Sequence, residues 1–328
     1  MPRFSPYRPF TPEPDQMARV PEQSGNALNG LDETEPRRAR MVYWAPNPDD
    51  IPHGGMQRYF LERSAREPAF GAARAKRQKV LDAPLPDIAQ EAVERTSKDW
   101  TVALQQFVAQ GICEQAGVAE MQSDWVVEGF EVSQRRVIIL GVQHDYGEIS
   151  TAPDVTAGLE VMQQYERAAA ASKAVAGWLR MQGWDATPVT GPMTGALLMI
   201  PPALACGFGE LGKHGSIINP EMGASFRLSA VLTDAPFDVT EPVEAGIDGF
   251  CQNCRVCEDA CPPEALFSTK KTVRGVEKWY VDFDRCLPFF NQTHGCAICI
   301  AVCPWSRPGI GPNLAAKLSR RAERLREE

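Results

Sequence analysis

The sequence has no apolar run near the ~20 residues that cross a bilayer, so a membrane-spanning role is not expected. Its opening stretch, MPRFSPYRPFTPEPD, lacks an apolar h-region and its arginines are separated, so neither export route is signalled. A cytoplasmic location is the expectation. There is no Walker A loop, and no internal repeat beyond two cysteine runs. Lys and Arg number 34 against 42 Asp and Glu, a formal charge of −8 that disfavours a nucleic-acid backbone as partner. What is present is length and apolar content. With 328 residues, 44% of them hydrophobic, the chain can bury a core in one large or two modest domains.

Cysteine is abundant, and it is concentrated. Eight of the ten cysteines lie between Cys251 and Cys303. CQNCRVCEDACP supplies Cys251, Cys254, Cys257 and Cys261; CAICIAVCP supplies Cys296, Cys299 and Cys303, with Cys286 ten residues upstream. C-x2-C-x2-C-x3-C-P is the ligand spacing of a bacterial-type [4Fe–4S] site, whose fourth cysteine serves the other cluster. The first cluster then takes Cys251, Cys254, Cys257 and Cys303, and the second takes Cys286, Cys296, Cys299 and Cys261. Zinc would leave the third cysteine of each run superfluous, and disulfides suit small secreted domains. The chain therefore reads as an electron carrier. Cys113 and Cys206, outside the array, read as small buried apolar side chains.

Upstream, residues 1–40 are proline-rich and polar, an extended arm, and residues up to 90 form a wrapping segment with short helices. Residues 91–245 are expected to form an α/β core, 246–310 a ferredoxin-like segment with two [4Fe–4S] clusters, and 311–328 a charged helix. Within the core, Thr96–Ala116 has helical spacing, Val132–Val142 ends in an apolar run suited to a central strand, and Val155–Met181 is a long helix. Asp185–Val189 and Phe226–Thr233 read as strands and Met193–Ala205 as a helix. Gly207, Gly209 and Gly212 fit G-x-G-x-x-G, but no strand leads into them, so the dinucleotide context is missing.

The order GFGELGKHG, INPEMG, VLTDAPF and then CQNCRVCEDACP resembles the corrinoid-dependent reductive dehalogenases and, more distantly, epoxyqueuosine reductase, whose second run also ends in Cys-Pro-Trp. The resemblance covers about Arg135 to Arg307. It implies a nitroreductase-like α/β core holding cobalamin beside the first cluster, with Gly207, Gly209, Glu210, Gly212 and His214 at the cofactor. Read from its own loop, Glu210 suits bonding backbone amides there better than it suits a ligand. None of the four histidines lies in the Asp-x-His-x-x-Gly pattern of proteins that ligate cobalt through imidazole, so base-off cobalamin without a protein histidine is expected.

The resemblance further implies that Tyr165, in QQYERAAAA, gives the proton in reductive removal of halide, and that Lys213 supports its phenolate. A phenol of ordinary pKa ~10 needs such a neighbour near pH 7. Epoxyqueuosine reductase has an aspartate before the corresponding tyrosine; here Gln164 has no proton to give. The expected partners are a small halogenated or otherwise activated substrate and an external ferredoxin, flavodoxin or reductase. Two alternatives stay open: a corrinoid reductase of an epoxide or other activated C–X bond, and a non-catalytic iron–sulfur electron-transfer protein docking through its arm and tail.

Overall fold

The computed structural model describes residues 7–192 and 195–327. Residues 1–6 of the expected arm, and Met193 and Thr194 of the expected helix Met193–Ala205, lie outside the described residues. Eight strands are defined among them: β1 (Gln115–Glu120), β2 (Arg136–Gln143), β3 (Ala186–Val189), β4 (Glu210–Leu211), β5 (Ile217–Ile218), β6 (Phe226–Thr233), β7 (Lys271–Val273) and β8 (Val276–Lys278). The main sheet has the order β1-β2-β6-β3 and every neighbouring pair is antiparallel.

Period-2 alternation in β2 sends its apolar residues to both faces. Ile138, Leu140 and Val142 meet the helices Ser97–Val108 and Val155–Met181, through Trp100, Leu104, Ala171, Val175 and Leu179. Val137 and Ile139 meet Leu197, Ala203, Cys206 and Phe208 on the other side. A sheet buried on both faces explains why RVIILGV is a continuous apolar run. The long helix lies close to the sheet because alanines occupy its inner face at 168, 171 and 176. Phe208 packs onto β2 only because residue 141 is glycine: a Cβ there would stand 2.6 Å from the Phe208 ring.

The long helix and the last strand of the sheet have the extents read from the sequence. Two elements differ. The helical spacing from Thr96 stops at Val108, and Gln115–Glu120 pairs with β2 as an edge strand. In the stretch Met193–Ala205, the described helix is Ile200–Ala205, with Pro201 and Pro202 in the first turn where a missing N–H costs little.

The polar N-terminal residues are anchored rather than free. Gln16, with no exposed surface, donates from Nε2 to the Pro288 carbonyl at 3.1 Å, and Tyr43 bonds Asn291 at 2.7 Å. Both partners belong to the helix Phe283–Gln292, which carries Cys286. Further along, residues 29–33 zip onto the β7–β8 hairpin through Asp32 N–H to Thr272 O, Arg274 N–H to Gly30 O and Gly275 N–H to Glu33 O. Among the described residues no helix is long and apolar enough to cross a membrane.

Candidate active site

The C-terminal segment brings the eight cysteines together in two groups. Cys251 and Cys257 ride on the short helices Ile247–Asn253 and Val256–Ala260, and Cys303 returns from the far run beside them. Burial pushes the Cys257 thiol up to about 12, and Cys303, Cys254 and Cys251 crowd it in the same direction. Cys286 is raised first by burial and then by Cys296 and Cys261; Cys299 is raised by burial and then by Cys286, Cys257 and Cys261. Cys257 with Cys303, and Cys286 with Cys296 and Cys261, are neighbours as the crossed sets require, while Cys299 lies near Cys257 of the first set as well as Cys286 and Cys261 of its own. Bare thiolates would be costly here, and coordination to iron is the condition under which they become tenable.

Among the described residues no three His, Cys, Asp or Glu side chains converge on a single metal ion. Cys251, Cys254, Cys257 and Cys303 do line one small cavity with Phe250 and Trp305. Trp305 is 1% exposed and stands edge-on to Phe250, limiting water at this site.

Beside it lies a cavity of about 1350 Å³, larger than the ~300–1,000 Å³ of ordinary small-molecule sites. One wall contains Tyr165 from the long helix and Arg227 from β6. Another contains His214, Trp279 and Ile300, next to the first cysteine group. The Arg227 guanidinium lies 5.0 Å from the centre of the Tyr165 ring, and its Nε has no protein partner. Arg77 donates to the Gly191 carbonyl, adds a second positive charge near Tyr165, and is itself lowered by burial.

The cavity contains Gly209, Glu210 and His214 of the five residues expected at the cofactor. His214 is buried; its Nδ1 accepts from Ser216 N–H at 3.2 Å, leaving a protonated Nε2 without a protein partner. Burial holds this ring neutral, with its pKa down at about 4. A nitrogen that carries a proton is a donor and not a metal ligand. Gly207 and Gly212 are not lining residues. Gly207 turns the chain at φ +86° against Glu241, and the space above Gly212 is filled by Ile218 and the His214 ring.

Geometry turns Glu210 and Lys213 toward the cluster segment. Both Glu210 oxygens accept backbone amides, from Ala245 at 2.7 Å, Ile247 at 3.1 Å and Asp248 at 2.9 Å. Glu210 therefore caps the helix that carries Cys251, favoured by charge at a helix N-terminus. Lys213 is not brought to Tyr165. It is 2% exposed, pairs with Glu258, donates to the Cys254 carbonyl at 2.9 Å and lies 5.1 Å from the Trp279 ring centre. Every one of these contacts is to the cluster segment. Lys213→Ala leaves the Glu258 carboxylate with only Arg255, at 3.8 Å, as an ion-pair partner, and we expect destabilisation of about 3 kcal/mol, read as a lower denaturant midpoint with weaker retention of iron.

Sequence reasoning missed Arg227, although a charge inside the otherwise apolar FRLSAVLT was an available signal. It also missed Arg8, which donates to the Cys261 carbonyl at 3.0 Å and 2.6 Å and to the Glu258 carbonyl at 3.0 Å, and pairs with Glu264. A fixed positive charge beside a ligand cysteine favours the reduced cluster. Arg8→Gln should lower the midpoint potential of one cluster by on the order of tens of millivolts, leaving the other unchanged in an EPR-monitored redox titration. The two leftover thiols are buried, which pushes Cys113 up to about 11 and Cys206 up to about 12.

An α/β core joined to a double cysteine array defines an iron–sulfur protein, and residues 250–306 match the 4Fe-4S dicluster domain family. Over 218 residues the chain is 32% identical to the tetrachloroethene reductive dehalogenase of Dehalobacter restrictus, covering 62% of this chain and 39% of that protein. It is 33% identical over 128 residues to the epoxyqueuosine reductase of Escherichia coli, covering 34% and 30%. The fold matches the catabolic reductive dehalogenase NpRdhA with a TM-score of 0.71 at 20% identity, over 90% of this chain and 46% of that one. The chain is thus related to the reductive dehalogenases in sequence and fold, with weaker similarity to epoxyqueuosine reductase, and it spans about two-fifths of the length of the dehalogenases it matches.

Proposed function

We propose that the protein is a cobalamin-dependent reductive dehalogenase-type oxidoreductase, which replaces a carbon–halogen bond by carbon–hydrogen with consumption of two electrons and one proton and release of halide. The observation that carries this reading is the cavity itself, which has the Tyr165 ring faced by the Arg227 guanidinium on one wall and the first cysteine group behind another. Its size suits a macrocycle together with a small substrate. The unpartnered Nε2–H of His214 and Nε–H of Arg227 offer donors to a polar ligand, and apolar side chains such as Leu197, Ile217 and Val281 offer a surface for a ring. When bound, cobalamin would supply cleavage of the carbon–halogen bond, and two [4Fe–4S] clusters on the crossed cysteine sets would supply single electrons.

The residues of the chain have separable tasks. Tyr165 donates the proton to the substrate carbon, and Arg227 stabilises the phenolate left behind. Arg227 takes the task that Lys213 was expected to perform. The histidine at the cavity wall, His214, offers a hydrogen rather than a lone pair, which accords with a corrinoid lacking a protein imidazole ligand. Gln164 is buried, bonded to Glu160 at 2.8 Å and Arg167 at 2.8 Å, and does not line the cavity, so the residue before Tyr165 offers no acid to it. Electrons come from an external ferredoxin, flavodoxin or reductase.

Anaerobic reconstitution with iron, sulfide and hydroxocobalamin tests the reading. About eight iron per chain are expected if both cysteine sets are filled, with cobalt bound, a base-off Co(II) EPR signal, and halide released from an organohalide panel under reduction. Full iron with no cobalt would sink the enzyme reading and leave an electron-transfer protein.

A further inference from the structure

The hairpin wall of the large cavity carries more positive charge than its carboxylates match, Glu33 being shared by Arg37 and Arg274. Arg274 and Lys278, on and beside β7 and β8, both line the cavity, as does Arg37 from the segment zipped onto the hairpin. Arg37 is matched by Glu33 at 2.6 Å, and Lys270 by Asp248 at 2.8 Å. Arg274 reaches only a backbone carbonyl, that of Asn29. The Lys278 side chain makes no hydrogen bond or ion pair among the described residues, although its backbone pairs with Lys271 in the hairpin. The carboxylates lining the same cavity do not pair with Lys278: Glu210 is taken by three amides, Asp248 by Lys270 and Trp279, and Asp124 and Glu277 are exposed.

We propose that Lys278 and Arg274, backed by Arg37, form an oxyanion subsite on the hairpin wall that takes the phosphodiester of the cofactor's nucleotide tail. The inference rests on the corrinoid reading above. A half-buried ammonium beside a guanidinium is stable when an anion completes the site. Burial, followed by the charge of Arg274, brings Lys278 down to about 8, and an anion beside it would favour the charged ammonium. The tail phosphodiester is favoured over a substrate carboxylate by position. Lys278 adjoins Trp279, which contacts Lys213 at the first cysteine group, whereas Tyr165 and Arg227 belong to the wall built by the long helix and β6.

The test compares Co(II) cobalamin with Co(II) cobinamide, which keeps the corrin ring but lacks the phosphodiester, on the cluster-loaded full chain by equilibrium dialysis. Wild type should bind cobalamin the tighter. Lys278→Gln should weaken cobalamin about tenfold or more, the worth of one charge-assisted hydrogen bond, with cobinamide unchanged and Lys278→Arg restoring affinity. A second arm measures 3-chlorobenzoate against chlorobenzene on the same proteins. Selective loss of the benzoate would keep the oxyanion subsite but assign it to substrate. Equal weakening of both members of each pair, or no weakening, overturns the subsite. If wild type binds neither corrinoid, the corrinoid reading fails, and the benzoate arm alone decides whether the hairpin holds an anion.

Discussion

Tyr165→Phe is expected to keep its iron, sulfide and cobalt and to lose turnover by about 10²–10⁴-fold, the usual worth of a positioned proton donor. The substitution removes one oxygen from a side chain that contributes to the wall of a large cavity, so folding and cofactor loading should be unaffected. Arg227→Gln should lower turnover in the same direction and, with Tyr165→Phe, cost little more than either change alone. That non-additivity separates a phenol–guanidinium unit from two independent contacts. Product analysis in deuterated buffer supplies the second reading, since a donor equilibrated with solvent places deuterium at the carbon that lost halide. Wild-type turnover in Tyr165→Phe would remove Tyr165 from the mechanism.

Cys303→Ser should empty the first cysteine set while sparing the second, even though Cys303 belongs to the second sequence run. Iron should fall from about eight to about four per chain or remain as a three-iron centre, and one of two EPR signals should disappear. The reciprocal change, Cys261→Ser, should remove the other signal. Each loss leaves several buried thiols without metal, so a lower thermal midpoint should accompany it. If Cys303→Ser and Cys296→Ser abolish the same signal, the ligand sets are not crossed and the grouping around Cys257 must be redrawn.

The parts that were legible in the sequence are those whose signal is local. Cysteine spacing needs only a few residues to be read, and the periods of Val155–Met181 and Phe226–Thr233 are long enough to declare helix and strand. Gln115–Glu120 is different: QAGVAE carries no strand preference of its own and becomes an edge strand because β2 is beside it. The short helices Pro14–Met17 and Gly25–Asn29 cannot hold themselves together and depend on contacts such as Gln16 with Pro288. Lys213 shows the limit of motif reasoning. Its glycine-rich setting drew attention to it, but the stretch folds toward the cluster segment, and the guanidinium beside Tyr165 comes from a strand of the sheet.

The zipper between residues 29–33 and the β7–β8 hairpin has a consequence for biogenesis. One wall of the cavity is stitched from pieces roughly 240 positions apart, so the piece synthesised early must wait for its mate. The sheet and long helix can form beforehand, but the chamber gains that wall only after the hairpin has emerged and the cysteines on either side of it have been gathered. Iron–sulfur assembly would then precede cofactor entry, and a cell short of iron would accumulate open chains unable to retain a corrinoid.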